Sequence, residues 1–263
     1  MDKTARIAAL GTFVGMMLAD SLAWAEFEIP QVDGEKGEIE VEYRGAQHWG
    51  SPSTTDDAIR QSHEVEFQYA VSDWWMVRVT PNVEQPFGGD IEFVSVGFET
   101  QFVLVPRDGG SFGLALMLGY GPFSQFVDGG EPDEFEFGPV VELSQGRWLA
   151  TLNPVLVEQI DAADQEALGL EYAAQLQYRF APHWSVAALG FGEIEDLANA
   201  GPAREQEHLF GSGVYWFSKP YADANEMESP GDDAEWVVGV GALFGLTDNS
   251  NDVALRATVA LEY

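Results

Sequence analysis

Cysteine is absent from this sequence, and basic residues are scarce. The 263 residues include 12 Lys and Arg against 44 Asp and Glu, which gives a formal net charge of −32 at pH 7. Without cysteine, disulfide bonds and thiolate metal sites are excluded. A negative charge of this size repels nucleic acid and attracts cations. The composition therefore argues against nucleic acid as a partner and leaves cations and neutral molecules as candidates.

Long apolar runs are also missing, except for one of moderate length near the N-terminus. Residues 1–25 combine two basic residues near their start, an apolar run over residues 7–18 and a small-x-small sequence at residues 23–25. This order is typical of a cleaved secretory signal peptide. A membrane anchor is the alternative, but the run is shorter than the roughly 18 residues that a spanning helix needs. We predict an exported protein whose mature chain, residues 26–263, has no transmembrane helix.

The mature chain has no helical periodicity; instead, apolar and polar residues alternate with a period of two. Residues 253–263 show the pattern most clearly, with one apolar face, one polar face and a final aromatic residue, Tyr263. A strand of this length can cross a bilayer when it is tilted. About twelve segments of roughly ten residues repeat the pattern, and an even number brings both termini to one side of a membrane barrel. We therefore predict an all-β fold, a transmembrane antiparallel up-and-down β-barrel of about twelve strands, formed as a single domain by residues 26–263.

Alternation alone does not distinguish a membrane barrel from a soluble one, because a soluble barrel has the same pattern with its faces exchanged. Two features favour the membrane. A soluble barrel for one small ligand needs only about eight strands. The polar faces are also rich in small residues such as Gly97, Gly113 and Ala115, which suit a lumen better than a water-exposed outer surface.

The positions of tryptophan also favour a membrane barrel. When both termini are placed on the periplasmic side, six of the seven tryptophans that follow residue 25 fall at periplasmic strand ends. Aromatic residues concentrate at the membrane–water interfaces of such barrels. The weakest part of this topology is residues 218–234, a long polar connection placed among short periplasmic turns. The predicted interface girdle consists of Trp74, Trp75, Trp148, Trp184, Trp216, Trp236 and Tyr263.

Catalysis would require a Ser–His or Asp–His arrangement held at a rim of the barrel. His48 and His63 flank residues 51–62, a loop rich in Ser and Asp. Any such loop beside a histidine would look the same, and the chain has no Gly-x-Ser-x-Gly or His-Glu-x-x-His motif. We predict that the protein is not an enzyme, with a rim hydrolase at His48 and His63 as an alternative.

Two acidic loops raise the alternative of divalent-cation binding through oxygen ligands. Neither loop has the spacing of an EF-hand calcium site, and a hydrated acidic surface is the simpler interpretation. We therefore predict no dedicated metal site and no cofactor. The residues concerned are Asp128, Glu131 and Asp133 in one loop and Asp232, Asp233 and Glu235 in the other.

The strongest functional indication lies in the predicted lumen. Alternation directs many Glu side chains inward, and acids far outnumber bases among them, so part of the negative charge must stay unpaired and hydrated. The alternative is a network of Glu–Arg pairs that fills the barrel, since about twelve strands leave little open width. The residues expected to govern selectivity are Glu40, Glu42, Glu64, Glu66, Glu99, Glu136, Glu142, Arg44, Arg78 and Arg256.

Two segments resemble a known family. The sequences EIPQVDGEKGEIEVEYRG at residues 28–45 and YRFAPHWSVAALGFGE at residues 178–193 are similar to outer-membrane barrels grouped under the phenol-degradation MetA-pathway name. The resemblance implies a barrel and the passage of small hydrophobic or aromatic compounds. It carries no catalytic residues.

Together these features predict a passive channel or transporter in the bacterial outer membrane for small cationic or neutral solutes, hydrophobic or aromatic ones included. The expected partners are outer-membrane lipid, the solutes, the barrel-assembly machinery through the strand that ends at Tyr263, and divalent cations at the acidic loops. The alternative is a plugged barrel that stabilises the envelope or binds partners at its surface without transport.

Overall fold

Twelve antiparallel strands form one closed sheet. The computed structural model describes residues 27–32, 34–50, 59–107, 111–122, 133–160, 168–221 and 234–263. Each strand pairs with its neighbours in the chain, and the first also pairs with the last, so the predicted up-and-down barrel is confirmed. The strands are β1 (Ile39–Trp49), β2 (Ile59–Ser72), β3 (Trp75–Pro86), β4 (Glu92–Val105), β5 (Phe112–Gly121), β6 (Asp133–Gln145), β7 (Trp148–Ile160), β8 (Gly169–Ala181), β9 (Trp184–Ile194), β10 (Glu207–Phe217), β11 (Glu235–Gly245) and β12 (Val253–Glu262).

The closing pair of strands runs without interruption from Glu40 opposite Glu262 to Trp49 opposite Val253. A closed sheet leaves no edge strand with unpaired backbone groups. We call the end where β1 begins and β12 ends the terminal rim, and the other end the loop rim. Residues 218–234 connect β10 and β11 at the terminal rim, and residues 246–252 connect β11 and β12 at the loop rim. The uncertain part of the predicted topology is therefore confirmed.

The outward faces of the strands are apolar. Along β10, Phe210 and Val214 point outward and are exposed, whereas Leu209 and Tyr215 point inward and are buried. Within the described residues, no helix has the length and hydropathy needed to span a membrane. The other strongly exposed outward side chains include Phe67, Tyr69, Phe98, Leu104, Phe112, Leu143, Leu152, Leu176, Phe180, Val240, Phe244 and Leu255.

Pro154 interrupts the ladder between β6 and β7 but produces no bulge. The pairing of β6 and β7 stops at Phe137 opposite Leu156 and resumes at Val141 opposite Leu152 in the same register. In that register Pro139 faces Pro154, and neither residue has a backbone N–H to donate. The ladder is therefore interrupted here, but the two strands stay aligned.

The N-terminal segment, residues 27–38 apart from residue 33, lies inside the lumen. Phe27 is 3% exposed and Val32 is completely buried. The segment leaves at the terminal rim, where the backbone N–H of Gly37 donates to the carbonyl of Ala70 (2.8 Å). Although most residues of this segment are polar, its few apolar side chains pack against the inner wall.

Candidate functional site: the partly filled lumen

Two apolar clusters fill parts of the lumen, and the N-terminal segment contributes to both. Phe27 packs against Phe191, with ring centroids 4.8 Å apart, in a cluster formed mainly by β9 and β10. Val32 packs in a second cluster with Met76 and Ala115 on the opposite wall. The segment therefore crosses the lumen from one wall to the other.

Close backbone approach holds the segment against β4 and β5. The side-chain amide of Gln101 donates to the carbonyls of Gln31 (2.7 Å) and Val32 (3.1 Å). A Cβ atom on Gly113 would lie 3.1 Å from Cγ1 of Val32 and 3.1 Å from Cβ of Arg107. A small residue is needed at this position because the segment passes directly over it. The small inward residue at position 113 thus allows close packing of the segment against the wall.

Arg44 lies at the centre of a buried carboxylate network. Its guanidinium is 2.9 Å from Glu66, 3.1 Å from Glu42, 3.1 Å from Glu64 and 3.5 Å from Glu28. The register explains the grouping, because Arg44 stands opposite Glu64 and Glu42 opposite Glu66 on the paired strands β1 and β2. Glu28, which the sequence interpretation did not include, reaches the network from the N-terminal segment.

Arg78 on β3 extends this network. Its guanidinium is 3.2 Å from Glu99, 3.3 Å from Glu66 and 3.5 Å from Glu28. It also donates hydrogen bonds to the amide oxygens of Gln68 (2.7 Å) and Gln101 (3.2 Å). Glu28 and Glu66 therefore bridge the two arginines. The network as a whole contains the arginines 44 and 78 and the glutamates 28, 42, 64, 66 and 99, so carboxylates exceed guanidinium groups.

Glu142 and Arg256 face inward as predicted, but their partners were not foreseen. Glu142 pairs with Arg107 (2.7 Å), and each side chain is 1% exposed. Arg256 donates to the hydroxyl of Tyr215 (3.5 Å) and lies 5.6 Å from the ring centroid of Phe191, rather than pairing with a carboxylate as expected. Arg107 comes from the connection between β4 and β5, where strand periodicity gives no orientation, so no sequence pattern pointed to it.

Glutamates crowd the lumen at the loop rim. Glu171 on β8 stands opposite Glu193 on β9, which stands opposite Glu207 on β10. The charges of Glu134 and Glu136 on β6 also act on Glu171. Like charges placed directly opposite each other repel, so this arrangement is electrostatically unfavourable when the carboxylates are ionised. Only Glu136 of this group belonged to the predicted selectivity set.

On the rim itself, Asp196 anchors the connection between β9 and β10. Its carboxylate accepts a hydrogen bond from the Asn199 side chain (2.9 Å) and from the backbone N–H groups of Ala198 (2.7 Å) and Asn199 (3.0 Å). These bonds, the one from the Asn199 side chain above all, lower the pKa of Asp196. The carboxylate therefore stays charged well into the acid range.

A cavity remains beside the N-terminal segment in the half of the lumen near the terminal rim. Its volume is about 100 Å³. The segment forms one side of it, and β7, β8, β10, β11, β12 and β1 form the other. We call this space the inner cavity; its lining consists of Ile29, Gln31, Glu40, Glu42, Leu149, Gln175, Gln177, Tyr215, Phe217, Glu235, Val237, Arg256, Thr258, Ala260 and Glu262.

All residues of the predicted girdle lie at the terminal rim. Trp74 and Trp75 flank the β2–β3 turn with their rings stacked 6.4 Å apart, and Trp184 stands opposite Trp216. Trp148 and Trp236 are at the starts of β7 and β11, and Tyr263 follows β12. Their role at a membrane interface stays a prediction.

His48 and His63 do not form one site. His48 points into the lumen, where its ring contacts the side-chain amide of Asn251 (3.1 Å). His63 points to the outer face and is hydrogen-bonded to the hydroxyl of Tyr43 (2.8 Å). The two rings thus lie on opposite faces of the wall, which removes the geometric basis for a shared rim site. Residues 51–58, which supply the nearby Ser and Asp candidates, lie outside the described residues.

The acidic-loop candidates are mostly outside the described residues as well, namely Asp128, Glu131, Asp232 and Asp233. Asp133 accepts a hydrogen bond from the hydroxyl of Tyr120 (2.6 Å). Glu235 is not on a hydrated loop, because it begins β11, is 1% exposed and accepts a hydrogen bond from Tyr221. Across the described part of the chain, no group of three or more His, Asp and Glu side chains is placed to hold a metal ion.

Comparison with solved structures finds bacterial barrels at very low identity. The KdgM porin matches with a TM-score of 0.49 and 9% identity, covering 86% of this chain and 98% of that chain. Omp33 of Acinetobacter baumannii matches with a TM-score of 0.43 and 10% identity, covering 88% and 99%. The CymD monoaromatic hydrocarbon channel matches with a TM-score of 0.35 and 7% identity, covering 87% and 88%. No family model and no curated protein matches the chain. At these values the likeness says nothing about function, and the resemblance to MetA-pathway barrels is not confirmed.

Proposed function

We propose that this protein is an outer-membrane channel for small cationic or neutral solutes, which pass through the part of the lumen that the N-terminal segment leaves free. The observation that carries the proposal is the excess of carboxylates along the whole lumen. Glutamates crowd the loop rim, exceed the arginines in the central network and line the inner cavity. Removing unpaired charges from water is costly, so they need water or mobile cations, which a conduit supplies.

The apolar outward faces support placement in the outer membrane, with the terminal rim on the periplasmic side. The aromatic residues at that rim would then lie at the lipid interface. The strand that ends at Tyr263 is the proposed contact for the barrel-assembly machinery. Passage of aromatic compounds is proposed on the sequence resemblance alone, and divalent cations at the acidic loops on their charge alone.

Single-channel recording of the refolded mature protein in a planar bilayer with a salt gradient tests the channel. We expect steady current steps and a cation-selective reversal potential. Changing Glu171 and Glu207 to Gln should move that potential toward zero, because two carboxylates leave the entrance. Glu205→Gln is the control for each single variant, Glu171→Gln or Glu207→Gln, since it removes one negative charge from an exposed position.

A plugged barrel without transport is the second candidate, and the buried N-terminal segment favours it. Phe27 and Val32 anchor that segment in two apolar clusters. A variant that lacks residues 27–32 separates the two functions. If the wild-type barrel is folded but silent and the variant conducts, the segment is a plug and the channel proposal fails. If both conduct and the variant conducts more, the segment only narrows the channel.

A further inference from the structure

Three carboxylates stand side by side in the wall of the inner cavity. Glu40 on β1 is directly opposite Glu262 on β12, and Glu262 is directly opposite Glu235 on β11. All three line the cavity. Side chains in such positions have Cβ atoms about 4.5–5.5 Å apart, and like charges there repel each other. A cation between them would remove the repulsion.

Glu235 gives an independent indication of a ligand. Its side chain is 1% exposed, and one carboxylate oxygen, Oε2, accepts a hydrogen bond from Tyr221. The other oxygen, Oε1, is buried and has no donor among the described residues. A buried acceptor without a donor is unfavourable, and nearly all such groups in proteins find a partner. Glu235 lines the inner cavity, so a ligand bound there would lie beside this carboxylate.

The geometry favours an organic cation over a metal ion. In the described residues no carboxylate group is arranged to chelate a metal. A primary ammonium group carries three N–H donors and, unlike a metal ion, does not need a fixed coordination geometry, so it can move among carboxylates that do not converge on one point. The rings of Tyr215 and Phe217 and the side chain of Val237 line the same cavity and offer an apolar surface for an alkyl group. The charged and apolar parts of the lining thus match the two parts of an alkylammonium ion.

The size of the cavity limits the alkyl group. Its volume is about 100 Å³. An engineered apolar cavity of about 150 Å³ is known to hold benzene. The volume of the inner cavity therefore suits a chain of a few carbon atoms.

Four basic side chains lie near the carboxylates and must be considered as competitors. The charge of Arg78 acts on Glu40, but Arg78 is paired with Glu66 and Glu99. Arg256 lines the same cavity, although its backbone is six residues from Glu262 along β12, about 20 Å at the usual rise per residue. Arg179 is stacked on the rings of Phe217 (4.2 Å) and Tyr221 (4.8 Å). The charges of Lys219 and Arg179 both act on Glu235, and that of Lys219 also acts on Glu262, so Lys219 is the competitor to test first.

We propose that the inner cavity binds small primary alkylammonium ions, with the ammonium group at Glu40, Glu235 and Glu262 and the alkyl chain against Tyr215 and Phe217. This site deepens the proposed function by naming a solute class. Binding itself does not require conduction, so each can be tested without the other.

Isothermal titration calorimetry of the refolded protein in detergent tests the site, with n-propylammonium chloride as the probe. We expect saturable binding, no binding of the neutral analogue 1-propanol and much weaker binding of tetramethylammonium, which has no N–H donors. Glu262→Gln should weaken binding about ten- to hundredfold, because one hydrogen bond to a charged group is lost. Glu40→Gln is the second variant, in case Glu262→Gln does not fold. Glu205→Gln is the control and should bind as the wild type does.

Several results would overturn the site. They are the absence of saturable binding, equal binding of 1-propanol, or undiminished binding by the folded Glu262→Gln and Glu40→Gln variants. Lys219→Gln should strengthen binding if its ammonium competes. If binding appears only in that variant, Lys219 is the resident cation and the proposal fails. If the barrel conducts cations selectively but does not bind n-propylammonium, the proposed site is refuted and the channel is not. If a folded barrel binds n-propylammonium but does not conduct, the channel is refuted and the site is not.

Discussion

The two sides of the lumen differ in their main chemistry, although the side formed by β1–β4 also contributes Met76 to the second apolar cluster. On β1–β4, Arg44 and Arg78 are surrounded by glutamates at ion-pair distances. On β9 and β10, Phe191, Tyr215 and Phe217 form an apolar lining. The N-terminal segment touches both sides through adjacent residues, since Glu28 joins the charged side and Phe27 the apolar side.

The two sides should lose different amounts of stability when one side chain is removed. A buried ion network depends on every member, because removing one partner leaves the others charged and unpaired. An apolar cluster loses only the contacts of the group removed and can partly relax. The charged side should therefore determine the stability of the barrel more strongly than the apolar side does.

Arg44→Met should cause the largest loss. Four carboxylates contact Arg44, and breaking a buried pair typically costs about 3–5 kcal/mol. Urea-induced unfolding in detergent micelles measures the free energy of unfolding. Arg204→Met is the matched control, because its pair with Glu205 is exposed and such pairs are worth about 0–1 kcal/mol. Equal losses in both variants would contradict a buried network at Arg44.

Phe27→Ala should come next, with a loss of about 3 kcal/mol, because a buried ring is removed from a packed cluster. The same unfolding experiment applies, and the variant should also conduct more than the wild type does. Phe210→Ala serves as the control, since that ring is 54% exposed on the outer face and its loss leaves the lumen intact. If conductance increased in Phe210→Ala but not in Phe27→Ala, the Phe27 ring would not lie inside the lumen.

Gly113→Ala should cost about 1 kcal/mol, because a new Cβ would press on Val32 and Arg107 and overpacking destabilises. Gly97→Ala is the matched change on the neighbouring strand, where the nearest atom would be 3.7 Å away. That change should be neutral or slightly stabilising, since Ala is preferred to Gly within strands. Limited proteolysis should also release the N-terminal segment faster in the Gly113 variant only.

The smallest effect concerns Asp196, which lies outside both sides of the lumen. Its pKa is lowered in the folded protein, so its contribution to stability is present above the unfolded pKa and is lost as the pH falls through the folded value. Asn199→Ala should raise that pKa by removing the side-chain hydrogen bond. The amide NMR signals of residues 198 and 199 report the titration. An unchanged midpoint would show that the Asn199 side chain does not hold the carboxylate.

The sequence predicts the barrel well and the contents of its lumen poorly. Alternation predicts that Arg44, Arg78 and Glu66 point into the lumen, because successive side chains of a strand point to opposite faces. It does not give their partners, since these depend on the register between strands that closure imposes. Glu28 and Arg107 lie outside the strands and have no periodicity to read. In the N-terminal segment, the indication was a few apolar residues, Phe27, Ile29 and Val32, within a mostly polar stretch.

The closed ring also has a consequence for how the chain folds. Gly45 pairs with Ala257, and the two are 257 − 45 = 212 residues apart. Contacts between such distant residues form slowly, because a long loop must close first. The N-terminal segment directly precedes β1, so it is made before any strand and becomes enclosed only when β1 meets β12. We therefore expect the Phe27 ring to become buried when β1 pairs with β12. A probe near Phe27 would then report the last step of folding.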